Sequence, residues 1–148
     1  CRLFQAVPAD AAFFGAKDWQ QSLVIRRMVT DLGLPIEIVV CPTVREPDGL
    51  ALSSRNAYLT PQQRKQARSL SAALRQARND WLQAVPVAEI AAGMAAVLTA
   101  AGVAVDYADV VDAESLQPLT AADTAAIALI AGRLGETRLL DNELLLPR

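Results

Sequence analysis

Residues 10–41 carry the pattern that most narrows the fold. Asp10 and Gly15 bracket the apolar run Ala11-Ala12-Phe13-Phe14, which suits a buried strand of a parallel sheet. Gly15-Ala16-Lys17-Asp18 then reads as a strand-to-helix turn. Asp18 stands where an N-cap belongs, and Gln21 three residues on completes a capping-box pattern. Ile25, Met28, Val29 and Leu32 recur at helical spacing on one face, Arg26, Arg27 and Asp31 face away, and Gly33 is the expected stop. Pro35–Cys41 supplies a second apolar run. Strand, helix and strand in this order make a βαβ unit with parallel strands. Ligands of such sheets bind beyond the carboxyl ends of the strands, so Gly15–Asp18 and the stretch after Cys41 are expected on one rim.

Beyond residue 43 the texture changes. Pro42–Asn56 is a long polar connection with two prolines, a glycine and two arginines. Leu50, Ala51 and Leu52 give it something to bury, and its length and Gly49 suggest a mobile loop. Thr60-Pro61-Gln62-Gln63 reads as an N-cap with proline at the first helical position. Leu70, Leu74, Ala77 and Trp81 mark one face of a helix ending near Val85. Pro86 opens another, with a stripe of Ile90, Met94, Val97 and Ala101 and a stop at Gly102. Residues 103–112, the run 124–132 and Arg138-Leu139-Leu140 read as three strands, with Gly135 in a turn. The expectation is an α/β first part and, from residue 44, a small α+β domain with helices on a short antiparallel sheet.

Composition excludes more than it selects. A hydrophobic content of 53%, 20% charged residues and a net charge of −2 give no reason to expect nucleic acid or a membrane as partner. No apolar run approaches the roughly 20 residues a spanning helix needs, and no secretory signal is evident, so a cytoplasmic location is expected. The two cysteines, Cys1 and Cys41, are too few for a disulfide framework. With no histidine in the chain, a Ser-His-Asp triad, a Cys-His pair and a histidine-bound zinc are all outside its reach. Leu3, Phe4 and Val7 look like one face of a helix already in progress, which suggests a fragment lacking an N-terminal half.

Several residues could carry phosphate chemistry, each with a plainer reading beside it. Ser53, Ser54 and Arg55 offer two hydroxyls and a guanidinium at a possible helix start, where free N–H groups and the helix dipole favour anions; they could also be only a capped start with a surface arginine. Lys17 could neutralise a phosphate as a mobile point charge or be a surface lysine beside a turn. Asp18 could accept from a ribose hydroxyl or serve only as the cap. Gln20 and Gln21 could hold a hydroxyl or carboxylate, or be solvated. Arg45 and Glu46 read as a solvated pair, and Trp19 and Trp81 as packing residues. Walker-A and GxGxxG glycine spacings are absent.

Taken together, Gly15-Ala16-Lys17-Asp18-Trp19-Gln20-Gln21, Pro42–Glu46, Asp48–Asn56, Tyr58-Leu59 and Arg133–Asn142 resemble the pantothenate synthetase (pantoate–β-alanine ligase) family. Pro42–Glu46 followed by Asp48–Asn56 resembles that family's second nucleotide loop, its counterpart of the KMSKS loop of class I aminoacyl-tRNA synthetases. The resemblance implies a fold and a division of labour. Residues 1–43 would be the tail of a Rossmann-like parallel-sheet nucleotidyltransferase domain binding ATP and pantoate, and 44–148 a C-terminal lid. It also implies ATP-dependent condensation of pantoate with β-alanine through a pantoyl-adenylate, releasing AMP and pyrophosphate, with Mg²⁺ bound mainly through the ATP phosphates. Gly15, Ala16, Lys17, Asp18, Val44, Leu52, Ser53, Ser54 and Arg55 would bind ATP, with Lys17, Ser53, Ser54 and Arg55 acting on phosphate, and Gln21 would bind pantoate. The full-length enzyme would be a homodimer. Ala16 departs from the family's usual glutamate and Leu52 from a frequent methionine. The family's histidine motif is missing, so an inactive chain serving as nucleotide-loop and dimerisation module is the alternative.

Overall fold

In a computed structural model the chain divides into two compact units, Cys1–Thr43 and Val44–Arg148, of which residues 1–119 and 125–146 are described. The first unit holds α1 (Arg2–Ala6), β1 (Ala11–Gly15), α2 (Trp19–Asp31) and β2 (Glu37–Cys41). β1 and β2 pair in parallel, from Ala11 opposite Glu37 to Gly15 opposite Cys41, so their carboxyl ends share one rim. The helix between them starts where the sequence predicts: the Asp18 side chain accepts from the Gln21 N–H at 3.2 Å. It ends in a left-handed residue, Gly33 at φ +58°, with the Gly33 N–H donating to Thr30 and the Leu34 N–H to Val29. Phe4 packs edge-on against Phe14 with ring centroids 6.3 Å apart. One expected stripe residue departs from the pattern. Leu32 is 57% exposed, because it sits at the C-cap, where the backbone already leaves the helix.

The second unit opens with a hairpin over residues 44–52, then a 3₁₀ turn, Ser54–Tyr58, then α3 (Pro61–Leu82), α4 (Val87–Ala100), β3 (Ala104–Asp112), β4 (Ala126–Leu134) and β5 (Thr137–Leu145). The three strands form an antiparallel sheet in chain order, and the helices cover one of its faces. α3 begins with a complete capping box, Thr60 and Gln63 each accepting from the other's backbone N–H, and proline at its first position lacks only a donor that would be unpaired there. Leu70, Leu74, Ala77 and Trp81 are all buried as the spacing predicts.

Two boundaries and one helix face shift. α3 stops at Leu82, three residues short of Val85, because Ala84 takes a left-handed conformation at φ +60°. The fully buried line of α4 is Ile90, Met94 and Leu98, with Val97 half-buried against the same core and Ala101 at the C-cap; in a segment so rich in alanine the periodicity is too flat to fix the face to within a residue. β5 runs to Leu145, well past Leu140. Its polar centre, Asp141-Asn142-Glu143, hides a continuing strand. Residue 124, the first of the expected second strand, lies outside the described residues.

Candidate functional site

Residues 44–52 fold back on themselves. The Glu46 N–H donates to the Leu50 carbonyl, Gly49 to Glu46 and Leu52 to Val44, each at 2.8 Å, and Arg45 bridges antiparallel to Ala51. Leu50 and Ala51 are each 2% exposed, and Leu50 belongs to the core of the unit. At the tip Gly49 has φ +90°, and a Cβ there would meet Ser71 Oγ at 3.0 Å and Arg75 Nη1 at 3.2 Å. Gly49→Ala is therefore expected to destabilise the unit by about 1–2 kcal/mol from backbone strain alone. Urea denaturation checks this, and an unchanged midpoint would show that the tip is free to adopt another turn.

Arg45 and Glu46 do not pair with each other, as the sequence suggested, because successive residues of an extended strand face opposite ways. Arg45 grips Asp141 on β5 with both guanidinium nitrogens, Nη1 to Oδ2 at 2.6 Å and Nη2 to Oδ1 at 3.1 Å. The same nitrogens donate to the carbonyls of Gly49 (3.1 Å) and Asn142 (3.3 Å). The Asp141 side chain is 1% exposed and that of Arg45 28%. Burial works against the Arg45 charge, but the hydrogen bond and charge of Asp141, helped by Glu143, more than offset it and hold the guanidinium above its ordinary pKa. Glu46 turns to the other side and takes Asn56 Nδ2 at 2.9 Å and Arg64 Nη2 at 2.8 Å. Arg64 also reaches Asp48. Desolvation would raise the Asp48 carboxyl, but the Leu50 N–H and the charge of Arg64 hold it below the usual carboxylate value.

Ser53 and Ser54 follow directly. Ser53 N-caps the 3₁₀ turn, its Oγ accepting from the Arg55 N–H at 3.3 Å, and Ser54 and Arg55 are exposed. Asn56 is hooked back by Nδ2 to the Ala51 carbonyl at 3.1 Å as well as to Glu46. Only Ser53, Ser54 and Arg55 therefore lie between two fixed points, the paired Leu52 and the tethered Asn56. The mobility expected of the whole stretch 42–56 has no support across the hairpin. Arg55 lines a cleft of about 660 Å³ together with Tyr58, Gln63, Leu134, Glu136, Thr137 and Arg138. Val44 and Leu52 are exposed at the base of the hairpin, at 65% and 57%.

In the first unit, the Ala16 N–H donates to the Cys41 carbonyl at 2.7 Å, which carries the β1–β2 pairing one residue beyond Gly15. Lys17 and Asp18 follow in the turn, half-buried, and Gln21 is exposed in the first turn of α2. The rim so formed brings Gly15, Ala16, Lys17 and Asp18 to the N-terminus of α2. The clamp of Arg45, Arg64 and Asp141 is what sequence reasoning missed. Its one legible signal is an aspartate inside the run Leu139-Leu140-Asp141, where a buried carboxylate demands a cation.

The family model described as Pantoate-beta-alanine ligase matches residues 1–144. A pantothenate synthetase of Acidiphilium cryptum is 52% identical over 141 residues, covering 95% of this chain and 51% of that protein. The crystal structure of pantothenate synthetase from Thermus thermophilus superposes with a TM-score of 0.93 at 48% identity, covering 99% of this chain and 53% of the other. That of the Francisella tularensis pantoate-beta-alanine ligase, complexed with beta-gamma ATP and beta-alanine, gives 0.70 at 29% identity over 97% of this chain and 46% of the other. The chain thus spans about half the length of the curated relatives it matches. With the parallel βαβ unit, the hairpin and the three-stranded sheet all in the matched order, the chain belongs to the pantoate–β-alanine ligase family.

Proposed function

We propose that this chain supplies the ATP-handling C-terminal half of an enzyme that joins pantoate to β-alanine. The observation that carries the reading is the family match along residues 1–144, which includes both phosphate-suited stretches. In this reading pantoate's carboxylate attacks the α-phosphorus of ATP in line, pyrophosphate leaves, and the amine of β-alanine then displaces AMP from the pantoyl-adenylate. Neither step needs a nucleophilic side chain. The protein positions the reactants and stabilises charge gathering on phosphate oxygens.

Gly15, Ala16 and the N-terminus of α2 offer backbone to the nucleotide, and Lys17 brings a mobile positive charge to phosphate. Asp18 has two carboxylate oxygens, enough to cap α2 and still accept from a ribose hydroxyl. Val44 meets the adenine through its backbone. Leu52, Ser53, Ser54 and Arg55 serve the triphosphate, Arg55 with a planar donor fork suited to phosphate. Mg²⁺ enters the proposal as the counter-ion ATP carries on its phosphates. No helix among the described residues is long and apolar enough to cross a membrane, and all the substrates proposed are small molecules. A homodimer of the complete enzyme is part of the proposal.

The test is AMP production from ATP, pantoate and β-alanine, by this chain alone and in the complete enzyme. No turnover alone and pantoate-dependent turnover in the complete enzyme are expected; AMP release without any dependence on pantoate would overturn the reading. Within it, Gln21→Ala is expected to raise the pantoate KM at least 10-fold, on the order of one lost hydrogen bond to a charged group, and to leave the ATP KM nearly unchanged. Equal losses for both substrates would mean a distorted α2 instead of a lost pantoate contact.

A further inference from the structure

We propose that Arg45, locked onto the buried Asp141, is a positioning residue that sets the geometry of Ser53, Ser54 and Arg55. The inference rests on the reading that these three residues serve ATP. It begins with how little chain is left to choose its own path there. Leu52 is fixed by its N–H bond to Val44, and Asn56 by two bonds to Ala51 and Glu46. Whatever fixes the hairpin therefore fixes both ends of the three-residue span.

Two clamps do so, from opposite sides. Arg64, on α3, holds Glu46 and Asp48 on one side. Both carboxylates are partly exposed, and water can compete for them. Arg45 works on the other side, and its four hydrogen bonds reach three places: the Asp141 carboxylate, the Asn142 carbonyl on β5, and the Gly49 carbonyl at the hairpin's own tip. A planar guanidinium satisfied in this way fixes orientation as well as distance. The hairpin is thereby referenced to β5, an element of the folded sheet. Arg138 and Thr137 at the start of that strand line the same cleft as Arg55. One strand thus carries both the anchor of the hairpin and part of the wall of that cleft.

Phosphoryl chemistry is sensitive to placement, and a shift of about 1 Å can lower a rate on the order of 10²-fold. Arg45→Ala in the complete enzyme is accordingly expected to reduce kcat for pantoate-dependent pyrophosphate release by about 10²-fold and to raise the ATP KM, with the pantoate KM unchanged. Rates are taken per folded molecule, well below the unfolding midpoint. A purely structural clamp would lower that midpoint and leave kcat and both KM values alone. Arg45→Lys is expected not to restore the rate, since an ammonium cannot make the four bonds at once. Arg78→Ala is the control. It removes an exposed pair from α3 to Glu143 on the same strand and is expected to leave activity at the parental level.

A second readout needs no turnover. In this chain, Arg45→Ala or Asp141→Asn is expected to speed amide hydrogen exchange at least 10-fold at Leu52, Arg55 and Asn56, whose N–H groups donate to the Val44 carbonyl, Ser53 Oγ and the Ser53 carbonyl, with exchange at Leu70 and Ile130 unchanged. A complete enzyme of native sequence that releases no pyrophosphate would defeat the functional reading, and the exchange experiment would still decide the loop geometry. An active enzyme whose Arg45→Ala form keeps kcat and ATP KM would overturn the inference. So would unchanged exchange at Leu52, Arg55 and Asn56. Failure of both Arg45→Ala and Asp141→Asn to fold would overturn it too, because the pair would then serve the core and not the loop.

Discussion

Lys17→Ala in the complete enzyme is expected to slow pyrophosphate release by about 10²–10³-fold, the usual loss when one donor aimed at developing phosphate charge is removed. The expectation follows from where Lys17 sits. It lies past the paired ends of two parallel strands, Gly15 opposite Cys41, and immediately before the cap of α2. The cap itself is Asp18, so the substitution leaves the Asp18–Gln21 bond in place. Lys17 is half-buried in a turn and not a core residue, so a loss of no more than about 1 kcal/mol of stability is expected. The unfolding midpoint should therefore hold while the rate collapses. Lys17→Arg should recover only part of the rate, because a guanidinium is broader than an ammonium and cannot follow a moving phosphate as a point charge does. Pyrophosphate release by Lys17→Ala within a few-fold of the parent would remove Lys17 from the proposed chemistry.

Trp81→Ala should give the largest loss of stability in the second unit, about 3–5 kcal/mol. The indole is 1% exposed among the buried side chains of α3, α4 and the sheet, and its Nε1–H donates to the Leu146 carbonyl at 2.7 Å. Removing it opens a large cavity and also frees the end of β5. A loss of this size is a large fraction of the roughly 5–15 kcal/mol that holds a domain together. Denaturation followed by circular dichroism on this chain checks it. Trp81→Phe separates the two contributions: most of the volume stays, the donor goes, and a smaller loss of about 1–2 kcal/mol is expected. A Trp81→Ala midpoint equal to the parent's would mean that the core can close over the gap.

What the sequence revealed of this fold depended on whether the deciding signal was local. The βαβ unit was readable because a cap at Asp18, a glycine stop at Gly33 and two apolar runs lie within about thirty residues of one another. α3 was readable for the same reason, since Thr60, Pro61 and Gln63 write its start in four positions. The hairpin was not. Its turn and its two clamps depend on Asp141 and Arg64, and nothing near Arg45 in the chain announces a carboxylate 96 positions away. The same blind spot shortened β5, where a polar centre looks like the end of a strand until Arg45 is seen to neutralise it. Ser53 as the cap of a helical turn was legible, whereas the tether of Asn56 that closes the span behind it was not. α4 was legible in Ile90 and Met94 but not in Leu98, since alanines on every side leave the exact helix face to be chosen by tertiary packing.

The Arg45–Asp141 pair has one more consequence, for how the sheet finds its alignment. From Ala126 to Gly132, β4 carries no charged or hydrogen-bonding side chain, so its own side chains add no polar check to the register that the tight turn between Leu134 and Thr137 sets. A side chain's face reverses with each one-residue slip. Slipping β5 by one against β4 would swing Asp141 from the helix-covered face to the opposite one, out of reach of Arg45, and bury or strand an unpaired charge. A single aspartate on its neighbour, matched by an arginine from far up the chain, adds the cost of an unpaired charge to any misaligned sheet.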